Sequence, residues 1–126
     1  MAKGEPFYNA DAACGQYKNP TDRRVRRLIE RGQRPVGYDW WHYEQVKNVS
    51  AEKTAHPCQL PEQMVTRVVS LVTPPGGIVL DPFCGSGTTC VAAKREGMNY
   101  IGIDISEEYC EIARKRVANT EQSLFQ

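Results

Sequence analysis

The chain has 126 residues, 40% of them hydrophobic and 25% charged, with a formal net charge of +1. That is the composition of one modest globular domain, and it excludes a disordered tail. Apolar runs fall short of the ~18 residues of a membrane-spanning helix and Met1 to Pro6 hold no signal core, so a cytoplasmic rather than a membrane or secreted protein is expected. The five cysteines, Cys14, Cys58, Cys84, Cys90 and Cys110, are odd in number and form no C-x-x-C pair. They fit reduced thiols and point to no metal site.

Basic charge is concentrated in residues 18–34, with 7 basic against 2 acidic side chains. Within this stretch Thr21 or Asp22 can cap a short helix, Val25, Leu28 and Ile29 give it an apolar face, and Gly32 ends it. Arg23, Arg24, Arg26, Arg27 and Arg31 then project outward, either as a solvated face or as contacts to nucleic-acid phosphates. An aromatic cluster follows over residues 36–43, with both tryptophans, Trp40 and Trp41. It suits core packing or stacking on a ligand. His42 beside it reads as a structural residue.

The second half alternates. A helix is expected over residues 61–72, opened by Pro61 and stopped at Thr73-Pro74-Pro75-Gly76-Gly77. Ile78-Val79-Leu80 is a short apolar run of the kind buried in a parallel sheet. A glycine-rich turn leads into a helix over residues 88–96, Tyr100 to Ile103 form a second strand, and Ser106 caps a helix ending near Ala118. The order predicts an α/β fold.

The informative stretch is Asp81-Pro82-Phe83-Cys84-Gly85-Ser86-Gly87-Thr88-Thr89, at a strand-to-helix junction where open α/β sheets bind ligands. Its glycines can serve turn geometry alone. A phosphate-binding P-loop needs a Lys after the last glycine, and none is present. A dinucleotide fingerprint needs a third glycine or alanine where Cys90 stands, and Asp81 would face a pyrophosphate. An NAD-type oxidoreductase fragment is thereby weakened. Asp104 ends the second strand, where a carboxylate can accept both ribose hydroxyls; it can equally serve a helix N-terminus. Together the glycine turn and Asp104 point to an adenosine-bearing cofactor without phosphates.

Residues 81–89 resemble motif I of the DNA amino-methyltransferases that modify adenine N6 or cytosine N4 with S-adenosylmethionine (SAM). Lys53-Thr54-Ala55-His56-Pro57-Cys58-Gln59-Leu60-Pro61 is similar to their motif X, although Leu60 stands where many members have Lys. Ile101-Gly102-Ile103-Asp104-Ile105-Ser106, with Tyr109, Ala113 and Arg114, is similar to motif II. The order, X before I, is that of the β-class enzymes, which include restriction-modification and phage methylases. The resemblance implies a partial Rossmann-like methyltransferase fold of about two parallel strands with flanking helices. It implies that Phe83, Gly85, Gly87 and Thr88 line the SAM pocket and that Asp81 lies near the methionine amino group. Asp104 would bind the ribose, and His56 and Pro57 would border the methionine end.

The family's catalytic loop, Asp/Asn/Ser-Pro-Pro-aromatic, accepts hydrogen bonds from the target amino group and stacks on a flipped base. Thr73-Pro74-Pro75-Gly76 lacks the polar and aromatic residues, and in β-class order the loop precedes motif X. No catalytic residue is therefore assigned within this chain. The expected organisation is a basic and aromatic segment over residues 1–52, contacting DNA or a partner, and a SAM-binding half-domain over residues 53–126. The resemblance implies double-stranded DNA as partner and a bacterial or phage-infected cell as setting. Two strands leave open sheet edges, so a second polypeptide or self-association is expected to complete the sheet. The competing reading is a non-catalytic nucleic-acid- or partner-binding module on a degenerate nucleotide-binding fold.

Overall fold

In the computed structural model the described residues are 5–14, 19–33, 41–47 and 50–122. The expected strands form: β1 is Ile78–Asp81 and β2 is Asn99–Gly102, paired in parallel with Ile78 opposite Asn99 and Asp81 opposite Gly102. Hydrogen bonds continue past both ends, from the Asn99 amide to the Gly77 carbonyl, from Ile103 to Asp81 and from Cys84 to Ile103, each 2.9 Å. Parallel pairing needs a crossover. The helix Thr88–Arg95 supplies it; its last residue is one short of the expected Glu96, which is its C-cap, and Gly97 follows at φ +69°.

Numbered in chain order, the helices are α1 (Ala10–Ala13), α2 (Arg23–Glu30), α3 (Glu62–Val72), α4 (Thr88–Arg95) and α5 (Glu107–Ala118). Pro61 stands at the N-cap of α3, where its missing N–H costs nothing. The core joins Val65 and Val69 of α3 to Ala92 and Ala93 of α4 and to Met98, with Met64 and Val79 packed against it. Small alanines let the two helix axes approach closely, so the sheet's Val79 face lies under α3 and α4.

Alternation along β1 turns Ile78 and Leu80 away from that core. They are 65% and 61% exposed, and Ile101 of β2 and Ile103 just after it are 51% and 53% exposed. Parallel sheets are normally covered on both faces; among the described residues one face is covered. The sheet has two strands among the described residues, so each strand keeps one edge without a strand partner. A cleft of about 590 Å³ runs between β2, α4 and α5, past Tyr100, Ile101, Cys90 and Val117.

Of the described N-terminal residues, α1 with Asn9, and Trp41, lie against α3. The Asn9 amide donates to the Leu71 carbonyl at 2.8 Å, and the Arg67 guanidinium sits 4.6 Å from the Trp41 ring centroid, a cation–π geometry. The α1 turn, not expected from the sequence, is capped by the Asn9 side chain, which accepts from the Asp11 and Ala12 amides. Asp22, one of the two expected caps, caps α2 by accepting from Arg24 and Val25. Val25 and Leu28 are half-buried, Ile29 is exposed, and no α2 residue is buried. Tyr43 is half-buried and His42 exposed. Residues 36–40 of the aromatic cluster, with Lys18 and Arg34, lie outside the described residues.

Candidate cofactor site

The loop after β1 is held by its own backbone. The Phe83 amide donates to the Asp81 carboxylate at 3.0 Å, and the Gly87 amide to the Cys84 carbonyl at 2.8 Å. Gly85 has φ +51°, and a Cβ there would lie 2.8 Å from His56 Nε2. Gly87 has φ +80°, and a Cβ there would lie 2.6 Å from the Ala113 Cβ. Backbone conformation and close approach therefore both demand glycine at these two positions.

Asp104 closes the loop from the β2 side. Its Oδ2 accepts the Gly85 amide and its Oδ1 the Ser106 amide, each at 2.9 Å. The Ser106 bond is the main reason its carboxyl titrates below the ordinary value. Partial desolvation opposes, while the Gly85 bond and nearby His56 add to the lowering. Asp104 is thus an anion braced by two amides, with lone pairs to spare for hydroxyl donors.

His56 comes from the segment before α3. Its Nδ1 accepts the Cys58 amide at 3.2 Å, which leaves Nε2, the atom facing Gly85, to carry the proton of the neutral ring. The ring meets Tyr109 edge-on, 4.6 Å between centroids. Lys53 Nζ donates to the His56 carbonyl at 2.7 Å, and Gln59 Oε1 takes both the amide and hydroxyl of Thr54 at 2.8 Å. His56, Gly85 and Asp104 are so brought together from three separate segments. Pro57 is exposed beside them, Asp81 is half-buried, and Phe83 is 87% exposed on the loop.

Thr88 is buried, and its hydroxyl accepts from Arg116 Nη1 at 3.1 Å, on the α5 side of the loop. The same nitrogen donates to the Ser86 carbonyl at 2.7 Å. Arg116 was not expected from the sequence, because its partners lie about three helical and strand elements away. Ile105, next to Asp104 in the chain, is fully exposed.

Two other groups stand elsewhere. Arg23, Arg24, Arg26, Arg27 and Arg31 are all exposed on or at the end of α2. Pro74 and Pro75 form the turn into β1, closed by the Gly77 amide on the Pro74 carbonyl at 2.8 Å. That turn lies at the far end of β1 from Asp81, roughly 10 Å away along the strand, so it takes no part in this site. Burial, more than any charge, raises the Cys84 and Cys90 thiols, Cys90 to about 11; both are neutral fillers beneath Gly102. No metal-holding cluster of His, Cys, Asp and Glu occurs among the described residues, and none of their helices is long and apolar enough to cross a membrane.

A carboxylate, a glycine loop and apolar side chains match a sugar and a flat ring. They do not match a pyrophosphate, which would meet Asp81 and Asp104, and the nearby Arg116 is engaged with Ser86 and Thr88.

Comparison with known proteins agrees with this geometry. The model of the N6/N4 DNA methylase family matches residues 1–115. The type II methyltransferase M.ScaI of Streptomyces caespitosus is 43% identical over 91 residues, 69% of this chain and 30% of its own. The DNA adenine methyltransferase YhdJ of Escherichia coli K12 is 31% identical over 115 residues, 87% of this chain and 39% of its own. The solved M1.HpyAVI–SAM complex superposes with TM-score 0.50 at 40% identity, covering 60% of this chain and 39% of that one. The chain thus spans about a third of the length of these relatives. The cofactor of the family is S-adenosylmethionine, and the fold of this chain is an α/β fragment of that methyltransferase architecture. On the match over residues 1–115, this chain belongs to the N6/N4 DNA methylase family.

Proposed function

We propose that the chain is the SAM-binding portion of a site-specific DNA methyltransferase acting on adenine N6 or cytosine N4. The observation that carries this reading is the bracket of Gly85 between His56 and Asp104, because it joins a carboxylate with lone pairs to spare to the glycine loop after β1. Asp104 would hold the ribose hydroxyls. Phe83, Gly85, Gly87 and Ile105 would border the adenosine, with Thr88 supporting the loop through its bond to Arg116. Asp81, His56 and Pro57 would border the methionine end. Bound SAM supplies an electrophilic methyl group; this chain's residues hold and orient the cofactor, and positioning is the main source of rate in such a transfer.

The target amino group is handled by a Pro-Pro-aromatic loop outside residues 1–126, and a second polypeptide or a second copy of this chain covers the sheet face of Ile78, Leu80, Ile101 and Ile103. Double-stranded DNA is the substrate, its backbone met by the α2 arginines, in the cytoplasm of a bacterial or phage-infected cell.

Thermal melts with SAM, S-adenosylhomocysteine, NAD and ATP test the cofactor class. A ligand that binds only the folded state at 100 times its Kd stabilises by roughly 2.7 kcal/mol, a shift of several degrees for a domain this size. SAM and its homocysteine product should raise the midpoint and NAD and ATP should not. A rise with NAD or ATP alone would overturn the reading.

A further inference from the structure

Arg116 is the least expected side chain near the loop. It lies in the last turn of α5 with its side chain 16% exposed. From there Nη1 donates to the Ser86 carbonyl at 2.7 Å, the Ser86 hydroxyl at 3.3 Å and the Thr88 hydroxyl at 3.1 Å. Ser86 and Thr88 are 3% and 6% exposed. Nη2 lies 3.9 Å from Glu62 Oε2 on α3, and Glu62 also pairs with Arg95 of α4. One guanidinium therefore joins α5, the loop and α3.

The position is electrostatically poor for a cation. The N-terminus of α4 at Thr88 carries partial positive charge, and burial disfavours the charged form, which is the main reason Arg116 titrates below its ordinary value despite Glu62 and Glu52. A buried cation there must be offset by specific bonds. Those bonds fall on the residue between Gly85 and Gly87, two glycines whose backbone would otherwise have many conformations to choose from.

We propose that Arg116 is a positioning residue for the cofactor loop. By fixing the Ser86 carbonyl on the α5 side it sets the loop so that the preceding Gly85 amide meets Asp104 and the open side of the loop faces the ligand. The role in cofactor affinity rests on the proposed SAM reading; the role in loop order does not.

The test compares Arg116→Met and Arg116→Lys with the parent chain by amide hydrogen exchange without ligand and by SAM titration. In Arg116→Met the Gly85 and Gly87 amides should exchange at least tenfold faster while Ala92 and Ala93 in the α4 core keep the parental rate. SAM affinity should fall about tenfold, and Arg116→Lys should recover part of both. Exchange that rises equally at Ala92 and Ala93 would mean a merely structural role and would overturn the proposal, as would parental exchange at Gly85 and Gly87. If Arg116→Met does not fold, Arg116→Lys, which keeps the charge and loses the planar fork, is read by the same criteria. Should the parent chain bind no SAM, the cofactor reading fails on its own and the exchange comparison still decides the role of Arg116 in the loop.

Discussion

The Gly85 amide donates to Asp104 Oδ2 at 2.9 Å, joining the loop after β1 to the end of β2 by a bond between residues far apart in the chain. The same carboxylate takes the Ser106 amide, so one side chain both holds the cofactor loop and opens α5.

Asp104 gives the site a defined pH response. Its carboxyl lies below its ordinary value, chiefly through the Ser106 amide. A depressed folded value means that the stabilisation is complete above the unfolded carboxyl range, about pH 4. It is lost as pH falls through the lowered folded value. The difference in thermal midpoint between parent and Asp104→Asn should stay constant from about pH 8 to 5 and close below about 4. A gap that widens as pH falls would contradict this.

Gly87→Ala should be costly. The left-handed conformation alone costs a residue with Cβ about 1–2 kcal/mol, and the methyl would meet Ala113 at 2.6 Å, adding overpacking of about 1–3 kcal/mol. Urea unfolding should show a loss of about 2–5 kcal/mol. A loss under about 0.5 kcal/mol would mean that α5 does not press on the loop.

The bare sheet face should drive association. Ile78, Leu80, Ile101 and Ile103 are each at least half exposed, and fully burying such a side chain gains about 1.5–3 kcal/mol. Light scattering at micromolar concentration should give a mass above the 14.2 kDa of one chain. Leu80→Asp together with Ile101→Asp should return it to the single-chain mass with helical circular dichroism intact. A sharp monomeric peak for the parent would sink the association idea.

If the α2 arginines meet DNA phosphates, replacing Arg23 and Arg27 by Ala should weaken DNA binding alike across sequences. The slope of log affinity against log salt should flatten by about 2, since each lost phosphate contact removes about 0.9. An unchanged slope would reject that contact.

Much of this was legible in residues 61–118. An apolar tripeptide, glycines at helix ends and a serine cap are local signals, and the elements formed where they pointed, within about a residue. Glu96 and Asn99 account for the shifts, one by capping α4 and the other by pairing with Gly77. The α1 turn was not legible, because a four-residue helix has no periodicity and its support, the Leu71 carbonyl, lies in α3. Arg116 was missed for the same physical reason: nothing in its own neighbourhood marks it, and its partners Ser86 and Thr88 reach it only after the chain has folded. Asp104 was singled out by its place at the end of the second strand and His56 by motif resemblance, but the tautomer that Cys58 sets on His56 is a property of geometry.

The most direct measurement is a calorimetric titration of the folded chain with SAM, repeated on Asp104→Ala. Saturable one-site binding to the parent and a loss of at least tenfold in the variant are expected. A folded parent that takes up no SAM, or a variant that binds SAM as the parent does, would contradict it.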